Sequence, residues 1–323
     1  MYRLALLMTF LAALVVPVAG ARTTDTTLSL VAYSTPKAAF STIIPAFQKT
    51  PAGQGVSFTQ SYGPSGDQAQ AIVNGLPADV VDLSLEPDMR TLVKAGLVAP
   101  TWNANKNKGI VTRSVVAFVF RPGNPKHIRS WNDLVKPGVQ VLTPNPVTSG
   151  GARWNVLAAY GSQLKLGKTP KQAEQYLRTL FRHVVVQDKS ARDALNTFVA
   201  GKGDVLLTYE NEALLAQRSG QPVYFNIPKA TIRIDNPIAV TSNGKNKDAA
   251  QAFLKYLYTP AAQKLFAASG YRPVVKVANK GNSFPVRPQQ FTIDYLGGWT
   301  KVQKKFFDPN TGLMTKIEQG LGG

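Results

Sequence analysis

Cysteine is absent from the 323 residues, and histidine occurs only twice, at His127 and His183. The first absence excludes disulfides, thiolate metal sites and a cysteine nucleophile. The second makes the usual metal ligand and general base scarce. Charge is sparse as well: Asp, Glu, Lys and Arg together make up 17% of the chain, beside an ordinary 44% of hydrophobic residues. That balance excludes disorder, collagen and coiled coil. The charge is lopsided, with 37 Lys+Arg against 18 Asp+Glu and a formal net charge of +19. Basic residues are nevertheless scattered, with no long Lys/Arg run, which argues against a nucleic-acid partner. A chain of this length can bury a large core and is expected to divide into two units.

One long apolar run exists, and it stands at the start. Arg3 precedes an apolar stretch from Leu4 to Val18, followed by Ala19-Gly20-Ala21. A small-x-small ending is the cleavage pattern of a secretory signal peptide, expected to occupy residues 1–21. Pro17 and Gly20 interrupt the run and Thr23, Thr24 and Asp25 follow it, which disfavours a membrane anchor.

Beyond it, short β-branched runs alternate with amphipathic stretches. Strands are expected at Leu28–Ala32, Val56–Gln60, Val80–Leu83, Val115–Arg121, Val139–Thr143, Val184–Gln187, Val205–Thr208 and Ile238–Thr241. Helices are expected at Lys37–Gln48, Met89–Ala95, Gly151–Tyr160, Lys171–Arg182, Ala191–Ala200, Asp248–Tyr258 and Ala261–Ala268. Such alternation predicts an α/β architecture with mostly parallel sheets covered by helices. Ser130, Pro170 and Thr259-Pro260 read as helix starts. The segment from Gly281 to Gly323 reads as an extension wrapped over the body.

Five polar turns stand between an expected strand and a helix: Tyr33-Ser34-Thr35-Pro36, Tyr62-Gly63-Pro64-Ser65-Gly66, Thr148 to Asn155, Lys189-Ser190-Ala191-Arg192, and Tyr209-Glu210-Asn211-Glu212. A helix N-terminus carries unpaired N–H groups and the positive end of the macrodipole. Glycine allows an anion to approach those groups, and serine adds a hydroxyl donor. Each turn alone is an ordinary cap. Facing one cleft at the carboxyl ends of the strands, they would form an oxyanion cage that needs no lysine or arginine.

At these residues the sequence resembles a known family. Thr143-Pro144-Asn145-Pro146 with Ser149-Gly150-Gly151-Ala152-Arg153-Trp154-Asn155 is similar to the signature of periplasmic sulfate-binding proteins of ABC importers, including their thiosulfate-binding relatives. Asn74-Gly75, Ala78-Asp79-Val80-Val81, Trp131-Asn132-Asp133-Leu134, Glu210-Asn211-Glu212-Ala213, Tyr271-Arg272-Pro273 and Gly297-Gly298-Trp299 extend the likeness along nearly the whole chain. The resemblance implies a type II periplasmic binding protein: two α/β lobes, joined by two crossing strands, that close on a ligand by hinge bending. Lobe one would comprise residues 26–115 and 237–323, lobe two 116–236. The crossings would fall at Val115–Phe120 and Ile232–Pro237.

Carried over by position, backbone donors would come from Ser34, Gly150, Gly151 and Ala191, and hydroxyl donors from Ser65 and Ser149. Tyr209 falls where the family has an indole donor, Ser34 where it usually has aspartate, and Asp67 where lysine is frequent. Asp67 is expected to point outward. Arg153 and Arg192 could stiffen the cage from behind, and Trp154 is expected to fill core. The function implied is capture of sulfate, or of the alternatives thiosulfate, molybdate, tungstate or phosphate, for a membrane permease. The chain would act as an exported monomer without cofactor, metal or nucleic acid. A secreted hydrolase is the remote alternative: Ser65 and Ser149 lack a Gly-x-Ser-x-Gly elbow, and Glu210 and Glu212, two apart, diverge on a helix.

Overall fold

A computed structural model describes residues 26–277 and 283–320; the expected export segment lies outside the described residues. The chain opens with β1 (Thr26–Tyr33), α1 (Lys37–Gln48), β2 (Val56–Gly63), α2 (Ser65–Val73), β3 (Val80–Asp82) and α3 (Glu86–Lys94). It continues through β4 (Ile110–Phe120), β5 (Val141–Leu142), α4 (Gly150–Lys165), α5 (Pro170–Arg182), β6 (Val184–Val186), α6 (Ala191–Val199), β7 (Val205–Tyr209), α7 (Glu210–Arg218) and β8 (Tyr224–Asn226). The last part holds β9 (Ala230–Val240), α8 (Lys247–Leu257), α9 (Pro260–Ala268), β10 (Arg272–Pro273), β11 (Gln289–Phe291), α10 (Gly298–Phe307) and α11 (Leu313–Gln319). Where the sequence marks helix starts, the local chemistry follows. Thr169 and Thr259 accept from the backbone at Gln172 and Ala262 with proline next in line, and Ser130 forms a capping box with Asp133 before a single 3-10 turn.

Strand pairing runs β2-β1-β3-β9-β4-β7-β5-β6. At one end β1 pairs with β2 and β3 in parallel; at the other β5 pairs with β6 and β7 in parallel. The two parallel groups are joined by β4 and β9, antiparallel to each other and each 11 residues long. Both strands begin well before their expected starts at Val115 and Ile238. The cause is polar: Arg113, Ser114, Arg233, Asp235 and Asn236 interrupt the apolar pattern, yet they bond laterally. Arg113 Nε lies 2.9 Å from Asp235 Oδ1, and Arg233 Nη2 lies 2.8 Å from Asp235 Oδ2. The β4–β9 pairing covers Ile110–Val115 against Arg233–Pro237, while Val116–Phe120 already pair with β7. β4 therefore changes partner from β9 to β7 between Val115 and Val116, at the start of the expected crossing Val115–Phe120.

Apolar packing divides in the same way. Leu28, Leu30, Phe40, Phe47, Val111, Ile238, Phe253 and Phe266 form one core, with Val81, Leu83, Met89 and Leu92 on the opposite sheet face. Phe118, Trp131, Trp154, Leu157, Leu177 and Leu207 form another. The expected tail wraps over this second core. Phe291, Trp299, Val302, Phe306 and Ile317, expected with lobe one, pack in the same cluster as Phe118, Trp131 and Leu207. The reason lies in α4, buried nearly all round from Gly150 to Gln163. A helix without a polar face needs cover on both sides. Trp299 stacks edge-on against Trp154 at 4.8 Å, Phe306 against Tyr160 at 4.8 Å, and Gly161 lets Phe291 approach.

One carboxylate interrupts the first core. Asp82, 1% exposed, lies in register between Ala32 and Ile238, and its Oδ1 has no hydrogen-bond partner among the described residues. Burial pushes its pKa well above the usual carboxylate range. A raised folded-state pKa means that the folded form holds its proton longer than the unfolded chain. Stability from this group is thus complete below the unfolded value of about 3.9 and declines as pH rises above it. Asp82→Asn removes that decline. In urea titrations the variant gains stability over the parent, and the gain is larger at about pH 8 than at about pH 5. A gain independent of pH, or a loss growing with pH, contradicts this reading.

Candidate functional site

The carboxyl ends of β1, β2, β3, β5, β6 and β7 all lead towards the junction of the two sheet halves. There Ser34, Ser65, Ser149, Gly150, Gly151, Ala191 and Tyr209, the seven residues marked by the sequence, border one small, closely packed pocket. Tyr33, Pro64 and Ser84 complete its wall. No lysine, arginine, histidine or carboxylate side chain is among the lining residues.

The donors come from helix starts. Ser149 caps α4: its side chain accepts from the Ala152 N–H at 3.4 Å, which leaves the hydroxyl proton unused. Gly150 and Gly151 occupy the first turn, where no carbonyl lies one turn back to accept their N–H groups. Ala191 holds the same position in α6, behind Ser190, whose side chain accepts from Asp193. Ser34 sits in the bend after β1.

Both glycines are required by close approach. An ideal Cβ on Gly150 would lie 2.4 Å from Ser84 Oγ and 2.5 Å from Ser84 Cβ, and one on Gly151 would lie 2.8 Å from the Tyr209 ring. Helix α4 therefore meets the β3–α3 junction across the cavity with backbone against side chain.

Ser65 differs from its expected role. It borders the cavity and is 2% exposed, but its hydroxyl donates to Asp88 Oδ2 at 2.6 Å and accepts from the Ser84 N–H at 2.9 Å. A hydroxyl has one proton, and this one is engaged by a carboxylate; what Ser65 keeps free is its backbone N–H at the start of α2. Tyr209 is 1% exposed, and its phenol lies 2.6 Å from Ser84 Oγ. Burial pushes that phenol well above its usual range, so it stays protonated.

Charges stand one layer behind the wall. Arg153 lies 3.9 Å from Asp88 and donates to Pro146 O at 2.9 Å, holding the loop ahead of α4. Arg192 makes two bonds to Glu212, at 2.6 and 2.7 Å, and reaches Thr35 O at 3.2 Å. Glu210 pairs instead with Arg272. The two glutamates are thus separated by different arginines and form no acid pair. Asp67 is exposed and faces a separate groove beside α10, as expected. Trp154 is core, and its indole N–H donates to Ser84 O at 3.0 Å. His183 hydrogen-bonds Val139 O and His127 is exposed; neither borders the cavity.

Sequence reasoning missed Ser84. No glycine or turn pair marks Leu83-Ser84-Leu85, and the only available signal was its place between a strand end and the helix start at Glu86-Pro87.

Residues 28–272 match the family model described as bacterial extracellular solute-binding protein. The chain is 44% identical to a sulfate-binding protein of Synechococcus elongatus, over 92% of this chain and 87% of that one. It is 35% identical to a thiosulfate-binding protein of Pseudomonas aeruginosa, over 81% and 83%. Among solved structures, the sulfate-binding protein SubI from Mycobacterium tuberculosis superposes with a TM-score of 0.83 at 43% identity, covering 88% of this chain and all of that one.

The glycine contacts yield a direct test. Gly150→Ala places a methyl group inside the Ser84 side chain and drives the two walls apart. Small-angle scattering should then give a larger radius of gyration for the variant than for the parent, with thermal unfolding still cooperative. Indistinguishable radii would show that α4 and Ser84 do not meet this closely in solution.

Proposed function

The chain belongs to the bacterial extracellular solute-binding proteins, within their sulfate-binding group, and from that premise we propose that it captures sulfate in the Ser/Gly-lined cavity and delivers it to an ABC importer. The observation that carries this reading is a wall of N–H and O–H donors without a charged side chain. Sulfate at neutral pH carries no proton and only accepts hydrogen bonds. Phosphate carries at least one proton and needs an acceptor. A carboxylate in the wall would serve phosphate and repel sulfate; Asp67, the candidate for that part, faces elsewhere.

The energetics are consistent. Removing a dianion from water is costly, and each donor to an ionised group contributes roughly 1.5–3 kcal/mol net. The N–H groups of Gly150, Gly151, Ala191 and Ser65, the Ser149 hydroxyl and the main chain at Ser34 together offset much of that cost. First-turn dipoles of α2, α4 and α6 add to it without a formal cation.

Two lobes closing about β4 and β9 would supply opposite walls: Ser34, Ser65 and Ser84 from one, Ser149 to Gly151, Ala191 and Tyr209 from the other. The chain is read as an exported periplasmic carrier, with residues 1–21 removed and no catalytic part. The basic exterior would steer anions modestly, in a salt-dependent way.

Isothermal calorimetry with sulfate, thiosulfate, molybdate and phosphate tests the ligand. Sulfate should bind and phosphate should not; micromolar phosphate binding with sulfate silent overturns the reading. Affinity should be nearly flat between roughly pH 5 and 9, since no lining group titrates there. Ser149→Ala should weaken sulfate binding by roughly 1.5–3 kcal/mol, and an unchanged affinity would place the anion elsewhere.

A further inference from the structure

We propose that Ser84 is a further ligand-site residue: its hydroxyl and the Tyr209 phenol act as one serial donor that delivers a single proton to the bound oxyanion. The inference rests on the sulfate reading above and assigns a specificity-determining pair within that site.

Proton counting leads to it. The expected donor set includes the Ser65 hydroxyl, but that proton lies on the 2.6 Å bond to Asp88. Of the two expected serine hydroxyls, only that of Ser149 keeps its proton for a guest. Ser84 Oγ and Tyr209 Oη, both bordering the cavity, lie 2.6 Å apart. Two hydroxyls hold two protons, and the bond between them uses one. The other remains for a guest. A hydroxyl that accepts while it donates is polarised by the bond it receives, so the outer proton is a better donor than an isolated one.

Position supports the same assignment. Ser84 Oγ lies against Gly150 and Tyr209 Oη against Gly151, at 2.4 and 3.3 Å from where each Cβ would stand. The hydroxyl pair therefore lies beside the two first-turn glycines whose N–H groups would face an oxyanion. Ser84 is also held by its main chain. Its N–H donates to Ser65 Oγ at 2.9 Å, and its carbonyl accepts from Trp154 Nε1 at 3.0 Å and Asn236 Nδ2 at 3.3 Å. With the backbone fixed from both sides of the cavity, the hydroxyl is left to face Tyr209. A phenol alone offers lone pairs as readily as a proton to a guest. Coupled to Ser84, it presents donor character, as an indole at the same position would.

The test is a double-mutant cycle in sulfate affinity. Ser84→Ala retains every backbone bond of residue 84, and Tyr209→Phe retains the ring. Loss of either hydroxyl should weaken binding, by about tenfold for the one that donates to the anion, and the double variant should lose about tenfold rather than a hundredfold, because the pair supplies one proton. Unliganded melting midpoints that stay close to the parent separate this from loss of fold. Tyr209→Trp in the Ser84→Ala background should restore most of the loss, since an indole N–H donates without a partner. Ser84→Ala at parental affinity overturns the inference, as does a full hundredfold loss in the double variant. If a variant unfolds, sulfate binding by Tyr209→Trp alone decides: affinity no lower than the parent's supports the relay, and a tenfold loss contradicts it. Failure of the underlying reading is distinct, because the parent itself would then bind no sulfate.

Discussion

A doubly charged anion has to leave water, and something must replace the hydration it gives up. The cavity proposed to hold it is lined by dipoles rather than ions: the first turns of three helices and a few hydroxyls. That choice fixes much else. Donors must come from helix starts, so turns at strand ends must lead directly into helices. They must lie close together, so Gly150 and Gly151 leave room for Ser84 and Tyr209. Formal charges are kept one layer back, where Arg153 and Arg192 neutralise Asp88 and Glu212 while holding the turns that carry the donors. An arginine in the wall would bind any anion; an arginine behind it keeps the geometry that discriminates.

Holding several helix starts together takes a framework made of two parts. The two parallel sheet groups supply parallel strand ends, and the antiparallel β4–β9 pair joins them. Polar side chains along that pair bond to one another, so the joint is tied laterally as well as packed through Val111, Ile232 and Ile234. The C-terminal helices serve a different need. Helix α4 and its cap carry three of the cavity residues, and the helix has almost no polar face, so its position depends on Trp299, Phe306 and Phe291 covering its outer side. Order in the donor turn is thereby linked to packing at the far end of the chain.

Much of this was legible in the sequence, for identifiable reasons. Strand–helix alternation gave the α/β class, and the polar turns at strand ends hold every residue that borders the cavity except Ser84. What local pattern could not give was tertiary pairing. Asp88 lies 23 residues from Ser65, and only the folded chain shows that it takes the Ser65 proton. Ser84 lies in an apolar stretch, and only the placement of β3 beside β1 brings it to the wall. The early starts of β4 and β9 were hidden because their polar residues, which read as loop, satisfy one another across the joint. The tail's aromatics were visible, but the helix they cover was not.

The most direct measurement is a crystal structure of the protein grown with selenate, an isostere of sulfate whose selenium is located by its anomalous signal. A neutral-donor cage predicts one selenium peak among Ser149, Gly150, Gly151, Ala191 and Ser84, with no lysine, arginine, histidine or carboxylate side chain within roughly 4 Å. A peak held by a basic side chain, in the groove beside α10 or elsewhere on the surface, would contradict it.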